Sequence, residues 1–205
     1  MKFTIVTDGT SDKILKYPLI WLLTKRVVFQ QEVTVEWAEI RNTDLTAKIR
    51  QALDLYPSDV LFIHRDSEQQ HSEPRYQEIK NAVEKLKLNP PVPFVCIVPI
   101  RMTEAWFLFD ETAIRRAAGN SNGTNRLQLP RLREVESTSD PKAMLHQQLI
   151  LASGLTGRRR DEFKPHQALH RLAELIDDYS PLLQLSAFRT LERDIRQLAT
   201  ELNIL

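Results

Sequence analysis

Short apolar runs alternate with amphipathic segments over the first hundred residues of the chain. The run from Val60 to His64 is almost wholly apolar, which is typical of a central strand in a parallel sheet covered on both faces. The intervening segments place apolar residues three or four positions apart, as a helix with one buried face does. The predicted strands are residues 2 to 7, 32 to 37, 60 to 64 and 94 to 99, and the predicted helices are residues 12 to 24, 43 to 55 and 73 to 86. This order predicts an α/β fold with a mostly parallel sheet flanked by helices.

The second half of the chain has a different pattern. From Glu104 onward no segment has the alternation of a strand, and residues 119 to 126 are rich in Gly, Asn and Ser, which predicts a loop. Helices are predicted over residues 141 to 151, 163 to 179 and 185 to 202. We therefore expect an α/β domain over residues 1 to 115 and a helical C-terminal extension over residues 116 to 205, packed on it.

Acidic residues follow three of the predicted strands. The acids in question are Asp8 and Asp12, then Asp66 and Glu68, then Glu104. Parallel strands joined by helices bring successive strand ends to one edge of a sheet, so we expect these carboxylates to converge there. Oxygen ligands of this kind suit Mg²⁺ or Mn²⁺, and two metals about 4 Å apart would need several of them. The alternative is that Asp12 only favours a helix N-terminus and that Asp66 and Glu68 are solvated loop residues.

The residues around these acids resemble a known family. The motif Asp8-Gly9-x-x-Asp12, the segment His64-Arg65-Asp66-Ser67-Glu68 and the later Pro99-x-x-Met102-Thr103-Glu104-Ala105-Trp106 resemble the Toprim-type fold. Within it they are most similar to a bacterial branch related to nucleases of the overcoming-lysogenization-defect type. The resemblance covers roughly residues 1 to 110, and Asp140-Pro141-Lys142 through Gly157-Arg158-Arg159-Arg160 is similar to the same branch.

The resemblance implies a metal-dependent nuclease. Toprim domains place one acid after the first strand and an Asp-x-Asp pair after a later one, and these bind magnesium for phosphoryl transfer on nucleic acid. The implied catalytic residues are Asp8, Asp66, Glu68 and Glu104, and the implied metal ligands are these four with Asp12. The chain has Asp8 where the family usually has Glu, and Glu68 where it usually has Asp. The resemblance to this branch also implies a role in defence against phage together with an ATPase. This chain has no Walker-type phosphate loop, so the implied ATPase is a separate subunit.

Two residues next to the acids each allow two interpretations. His64 either supports the acidic pair from behind or merely ends a buried strand, and the latter is favoured. Arg65 either clamps a phosphate or neutralises the acids.

Glu104 precedes a strongly apolar run and so lies at the border of the core, where a charge is costly unless it is paired or bound to metal.

Basic residues provide the second candidate surface. Arg158, Arg159 and Arg160 are predicted to lie in a loop joining two helices, where forked donors can grip phosphates. Lys142 sits in the first turn of a helix, where the helix dipole disfavours a cation, so its presence indicates use in the site. The candidate nucleic-acid contacts are Arg65, Lys142, Arg158, Arg159 and Arg160. The alternative is that the arginine run is a solvated face, partly cancelled by the two acids that follow it.

Composition narrows the class of protein. The chain has 205 residues with a net charge of +1, so no global field favours nucleic acid or membrane, and such a partner must be met by a local patch. The single Cys96 cannot form an internal disulfide, and no stretch resembles a membrane span or an export signal, so we expect a cytoplasmic protein without a membrane partner. Apolar stripes in the last forty residues either form core or leave an interface for a homo-oligomer or another protein.

Three functions remain open at this stage. The first is hydrolysis of phosphodiester bonds in DNA or RNA with Mg²⁺ or Mn²⁺. The second is a non-catalytic interaction subunit, in which the fold is kept while the metal site is weakened. The third is a small-molecule phosphohydrolase, which the spread of basic residues disfavours.

Overall fold

A four-stranded parallel sheet forms the centre of the protein. The computed structural model describes residues 1–27, 29, 31–68 and 71–204. The strands are β1 (Lys2–Val6), β2 (Thr34–Trp37), β3 (Val60–His64) and β4 (Phe94–Ile97). They lie in the order β2-β1-β3-β4, and all three neighbouring pairs are parallel. The predicted α/β class with helices flanking a parallel sheet is confirmed at this level.

Helices connect and cover the strands. The α-helices are α1 (Lys16–Trp21), α2 (Leu45–Leu55), α3 (Glu73–Lys85), α4 (Glu111–Ala117), α5 (Pro141–Ser153), α6 (Gly157–Asp161), α7 (Pro165–Leu175) and α8 (Ser186–Glu201). Short 3₁₀ segments cover Thr10–Leu15, Thr103–Phe107, Leu132–Ser137 and Ser180–Gln184, and a π-helical turn covers Leu22–Arg26. The predicted domain boundary after residue 115 falls inside α4. No helix within the described ranges is long and apolar enough to cross a membrane.

The first predicted helix is a composite rather than one kinked helix. It begins at Thr10 as a 3₁₀ segment, becomes α-helical at Lys16 and ends as a π-helical turn. Pro18 has no N–H to donate to the carbonyl four residues earlier, so the α-helical bonding pattern cannot extend back through it. The N-cap residue of this composite helix is Gly9.

The two faces of the sheet build separate apolar layers. Phe3, Ile5 and Phe62 point to the layer that contains α1 and the C-terminal helices, and this layer extends as far as Leu191 and Ala199. On the other face, Val6, Leu61 and Ile63 pack with residues of α2 and α3. This alternation follows from the period of two in a strand. Because β3 is buried on both faces, it needs the continuous apolar run seen in the sequence.

Candidate functional site at the carboxyl edge of the sheet

The candidate site lies where the chain changes direction across the sheet. From β1 the chain crosses to the outer strand β2, and from β3 it crosses the other way to β4. In open parallel sheets such a switch point, outside the carboxyl ends of the strands, is the usual place for a ligand. Asp8 and Asp12 follow β1, and His64, Arg65 and Asp66 end or follow β3. Residues from two separate strands therefore meet at the position where function is expected.

His64 is the buried centre of this arrangement. Its side chain is fully buried, and Nε2 lies 3.1 Å from Oδ1 of Asp66 and 3.0 Å from the hydroxyl of Thr103. Its Nδ1 faces Oδ2 of Asp12 at 3.8 Å. The imidazole therefore bridges the acid of the β1 loop and the acid of the β3 loop. Both sequence interpretations of His64 apply, since it ends a buried strand and also contacts the acids.

Asp66 is held in place through one of its two carboxylate oxygens. Oδ1 accepts hydrogen bonds from the backbone N–H of Thr103 at 2.8 Å and from its hydroxyl at 3.0 Å, besides the contact with His64. Within the part of the chain that the structure describes, no such bond goes to Oδ2. These hydrogen bonds fix the direction of the carboxylate. Asp66 thus keeps one oxygen directed by the protein and the other open to a ligand.

Burial and mutual charge shift the titration of this cluster. Burial raises the pKa of Asp12 above its ordinary value of 3.8, although the charge of His64 opposes the shift. Burial alone would lower the pKa of His64, but Asp66, Asp12 and Asp8 together outweigh it and raise that pKa above 6.5. Both shifts favour a proton on the Asp12–His64 pair. The cluster therefore combines one site that retains a proton with neighbouring carboxylates.

Two arginines neutralise the outer acids. Arg65 contacts Asp8 through Nη1, and its Nη2 lies 2.9 Å from Oε1 of Glu78. Arg75 contacts the other oxygen of Glu78 at 2.7 Å and Glu68 at 2.8 Å. The chain of alternating charges runs from the β1 loop to helix α3. Arg65 thus takes the neutralising role, one of the two interpretations that its sequence position allowed.

Lys48 is a buried cation behind the β1 loop. Its ammonium group donates to the backbone oxygens of Thr7 at 2.9 Å and Asp8 at 2.7 Å. Burial lowers its pKa, although the charge of Asp8 opposes the shift. These bonds hold the carbonyls immediately before and at the first acid. Lys48 therefore fixes the start of the loop that carries Asp8 and Asp12.

Glu104 lies on the far side of the cluster, in the 3₁₀ segment after β4. It is 3% exposed, and its Oε1 lies 3.3 Å from Nζ of Lys142 in the first turn of α5. Burial raises the pKa of Glu104, and Lys142 only partly offsets the shift. The charge of Asp66 also reaches Glu104 and raises the same pKa. Lys142 is thus the partner that a buried carboxylate needs at this position.

Strained backbone ties the β3 and β4 loops together. Glu68 and Arg101 have φ values of 58° and 63°, in the left-handed region that non-glycine residues rarely occupy. The N–H of Glu68 donates to the carbonyl of Arg101 at 2.9 Å, and the N–H of Arg101 donates to the hydroxyl of Ser67 at 2.6 Å. Such strain persists only where surrounding bonds impose it, and it clusters at functional sites. Here it fixes the loop of Asp66 against the loop of Thr103.

The structure brings some of the predicted residues together and separates others. Asp8, Asp12 and Asp66 lie within electrostatic reach of one another, and Glu104 is within reach of Asp66. Glu68 points outward with its side chain 69% exposed, paired with Arg75.

The arginine run lies apart from the acids. Arg158, Arg159 and Arg160 lie in α6, so the segment predicted as a loop is a one-turn helix. The glycine that ends the preceding helix α5 is Gly154, with φ of 67°. The arginines that follow favour a new helix because arginine has a high helix propensity. Lys142 is at the opposite end of α5, a distance on the order of 20 Å for a helix of this length. The predicted basic residues therefore do not form one continuous patch.

The carboxylates of this cluster are the type of ligand that suits a hard divalent cation, but too few of them lie together to form a complete metal site. Carboxylate oxygens are the ligands that Mg²⁺ prefers, and one or two can suffice when waters and phosphates complete the shell. Among the residues described here, however, no group of three or more His, Cys, Asp or Glu side chains is arranged to hold a metal ion. The predicted five-carboxylate, two-metal site is not preformed in this arrangement. Within the described residues Asp66 has one oxygen that accepts no hydrogen bond, whereas Asp8 is paired with Arg65.

Four residues of the cluster were missed from the sequence. Lys48, Arg75, Glu78 and Thr103 all contact the predicted acids or their partners. Lys48 carried a usable signal, because it shares the buried face of α2 with Leu45, Ile49 and Ala52. Arg75 and Glu78 carried none, since a charged pair on a helix is usually a solvated face.

Comparison with protein-family models, with curated proteins and with solved structures gave no match. The resemblance to the Toprim type therefore stays a prediction.

Proposed function

We propose that the protein hydrolyses phosphodiester bonds of DNA or RNA with the help of Mg²⁺ or Mn²⁺. The observation that supports this best is the position of the buried His64 between Asp12 and Asp66 at the switch point of the sheet, with Asp8 within electrostatic reach. A fold needs no buried imidazole between two carboxylates for stability, because ionic groups in the interior are costly unless they are fully paired. Chemistry on a charged substrate is a reason to keep them.

Each residue has a proposed role in this reaction. Asp66 and Asp8 would hold the metal, which when bound supplies a Lewis acid for the phosphoryl oxygen and a more acidic water. His64 keeps Asp66 oriented and retains a proton between Asp12 and Asp66. Arg65 lies beside Asp8 and can pass one of its donors to a phosphate. Lys142 balances the buried charge of Glu104.

Partners follow from the resemblance alone. A separate ATPase subunit, a place in defence against phage, and a homo-oligomer are part of the proposal, and so is a cytoplasmic location.

A second candidate is a non-catalytic interaction subunit. The observation in its favour is that three of the proposed catalytic acids are already ion-paired, Asp8 with Arg65, Glu68 with Arg75 and Glu104 with Lys142. In such a protein the charges would serve to hold loops in place.

Metal titration combined with Asp66→Asn separates these candidates. Binding of Mg²⁺ or Mn²⁺ should raise thermal stability by ~1.4 kcal/mol at a metal concentration ten times Kd. Asn preserves an oxygen for the Thr103 N–H but removes the charge, so both the shift and cleavage of a mixed nucleic-acid panel should be lost. Glu162→Gln, directly after α6, is the matched control, because the Glu162 side chain is 60% exposed and pairs with the exposed Arg158. Wild-type protein that neither gains stability with metal nor cleaves any substrate would support the interaction subunit.

A further inference from the structure

A groove of about 540 Å³ lies at the β2 side of the sheet and is lined by residues of both β1 and β2. Its lining includes three lysines, Lys2, Lys13 and Lys16, and, besides the buried Phe3, the aromatic rings of Trp37 and Tyr56. Lys2 and Lys13 are exposed, and both rings are half-buried. A cation beside an aromatic face is the combination that binds a phosphate and an unpaired base. Trp37 with Lys13 supplies it here, whereas Tyr56 packs with the apolar layer on the other face of the sheet.

Trp37 is held in a fixed orientation in this groove. Its indole N–H donates to the hydroxyl of Thr7 at 2.9 Å, and the ammonium of Lys13 lies 5.5 Å from the centre of its ring. A cation over a ring face marks that face as reachable from the groove. A base that stacks there would release Lys13 to the phosphate beside it.

The groove adjoins the acidic cluster. Thr7, which anchors Trp37, directly precedes Asp8, and Lys13 directly follows Asp12. The hydroxyl of Thr7 also donates to the carbonyl of Gly9 at 2.9 Å, within the same loop. A strand bound along β2 therefore leads to the carboxylates after β1.

We propose that this groove binds single-stranded nucleic acid, with a base stacked on Trp37 and phosphates on Lys13 and Lys16. The inference rests on the proposed function and adds its substrate class. A paired base cannot offer its face to the indole, so the site favours single strands over duplex. Two glutamates, Glu36 and Glu39, also line the groove, and Glu39 lies 3.9 Å from Arg41. The cationic excess is therefore small, and stacking must supply much of the affinity.

Tryptophan fluorescence gives a direct test without catalysis. A single-stranded oligothymidine of twelve nucleotides is added in EDTA at low salt, and a duplex of the same length serves as comparison. The chain has three tryptophans, of which Trp106 is buried. We expect quenching by the single strand in the wild type and in the control Trp21→Phe, and its loss in Trp37→Phe. Trp37→Ala should weaken binding about 10- to 100-fold, the range for one lost stacked base.

The lysines are tested by salt dependence. Lys13→Gln with Lys16→Gln should flatten the slope of log affinity against log salt by about 1.4, since each single-strand phosphate contact contributes roughly 0.7. Quenching that persists in Trp37→Phe, or unchanged affinity in Trp37→Ala, overturns the inference. So does a wild type that binds no oligonucleotide and instead self-associates through the β2 edge.

The groove and the proposed function fail in different ways. If Trp37→Ala cleaves as fast as the wild type, the proposed nuclease function stands and the proposed role of the groove in binding is contradicted. If the single strand quenches Trp37 but no metal supports cleavage, the groove binds nucleic acid as proposed and the proposed nuclease function is contradicted.

Discussion

The acidic edge of the sheet and the arginine helix α6 are both charge clusters, but the fold treats them in opposite ways. At the sheet edge, His64 and Asp12 are buried and most charges have a partner within 4 Å. On α6, Arg158 has a side chain 90% exposed and pairs with Glu162 one turn away, and no residue of the helix is buried. A charge cluster in a sequence therefore does not by itself predict a functional site. Interactions between charges are strong where they are buried and weak where water and salt screen them. The following experiments test that contrast.

Removing the buried imidazole should have the largest effect on stability. His64→Ala leaves Asp12 and Asp66 without the imidazole between them and opens a cavity in the core. We expect a loss of about 3 kcal/mol in the free energy of unfolding, measured by urea denaturation. His166→Ala is the control, since His166 is exposed on α7, and should change stability by less than ~0.5 kcal/mol. Equal losses of stability in the two variants would contradict the claim that burial makes the charges at the sheet edge matter more than exposed ones.

Thr103 tests whether the site depends on one hydroxyl. Thr103→Val keeps the shape but removes the group that contacts both Asp66 and His64. We expect a loss of about 1 to 2 kcal/mol in stability, and a 10- to 100-fold drop in the rate of the proposed cleavage, since Asp66 is left less firmly oriented. Thr103→Ser restores the hydroxyl and should recover the rate. A valine variant with full activity contradicts this positioning role.

Glu104 gives a pH-dependent prediction. Because its pKa is raised in the folded protein, its contribution to stability is fully present below the ordinary value of 4.5 and is lost as pH rises through the folded pKa. Glu104→Gln does not ionise, so its stability relative to wild type should increase as the pH rises above 4.5. Thermal melts of both proteins across pH 4 to 8 measure this difference. A constant difference would show that Lys142 fully compensates the buried charge.

The exposed arginines should matter least for stability. Replacing Arg158, Arg159 and Arg160 together by Ala should change the free energy of unfolding by less than ~0.5 kcal/mol. If these residues contact the backbone of duplex DNA, the same variant should reduce the salt slope by about 2 to 3 units. An unchanged slope with loss of association with a second protein would make α6 a protein interface. If neither property changes, the helix is a solvated face.

Local pattern was sufficient for the sheet but not for helix type. The boundaries of β3 match the predicted residues 60 to 64, because a strand buried on both faces must be apolar throughout its length. The segment after β1 was predicted as one helix, yet it divides into 3₁₀, α and π turns around Pro18. Apolar spacing reports which side of a helix is buried and is insensitive to small changes in its pitch.

The sequence by itself determined the α/β class and the acids that follow its strands, because strand and helix periods and the residues after each strand are local properties of the chain. Only the tertiary structure decided which charges meet. The pairing of Arg65 with Asp8 and Glu78, and of Lys142 with Glu104, joins residues that are 13 to 57 positions apart. Their contacts depend on strand order and on how α3 and α5 pack against the sheet. Strand order and helix packing are determined by the burial of whole apolar faces, and no short stretch of sequence specifies them.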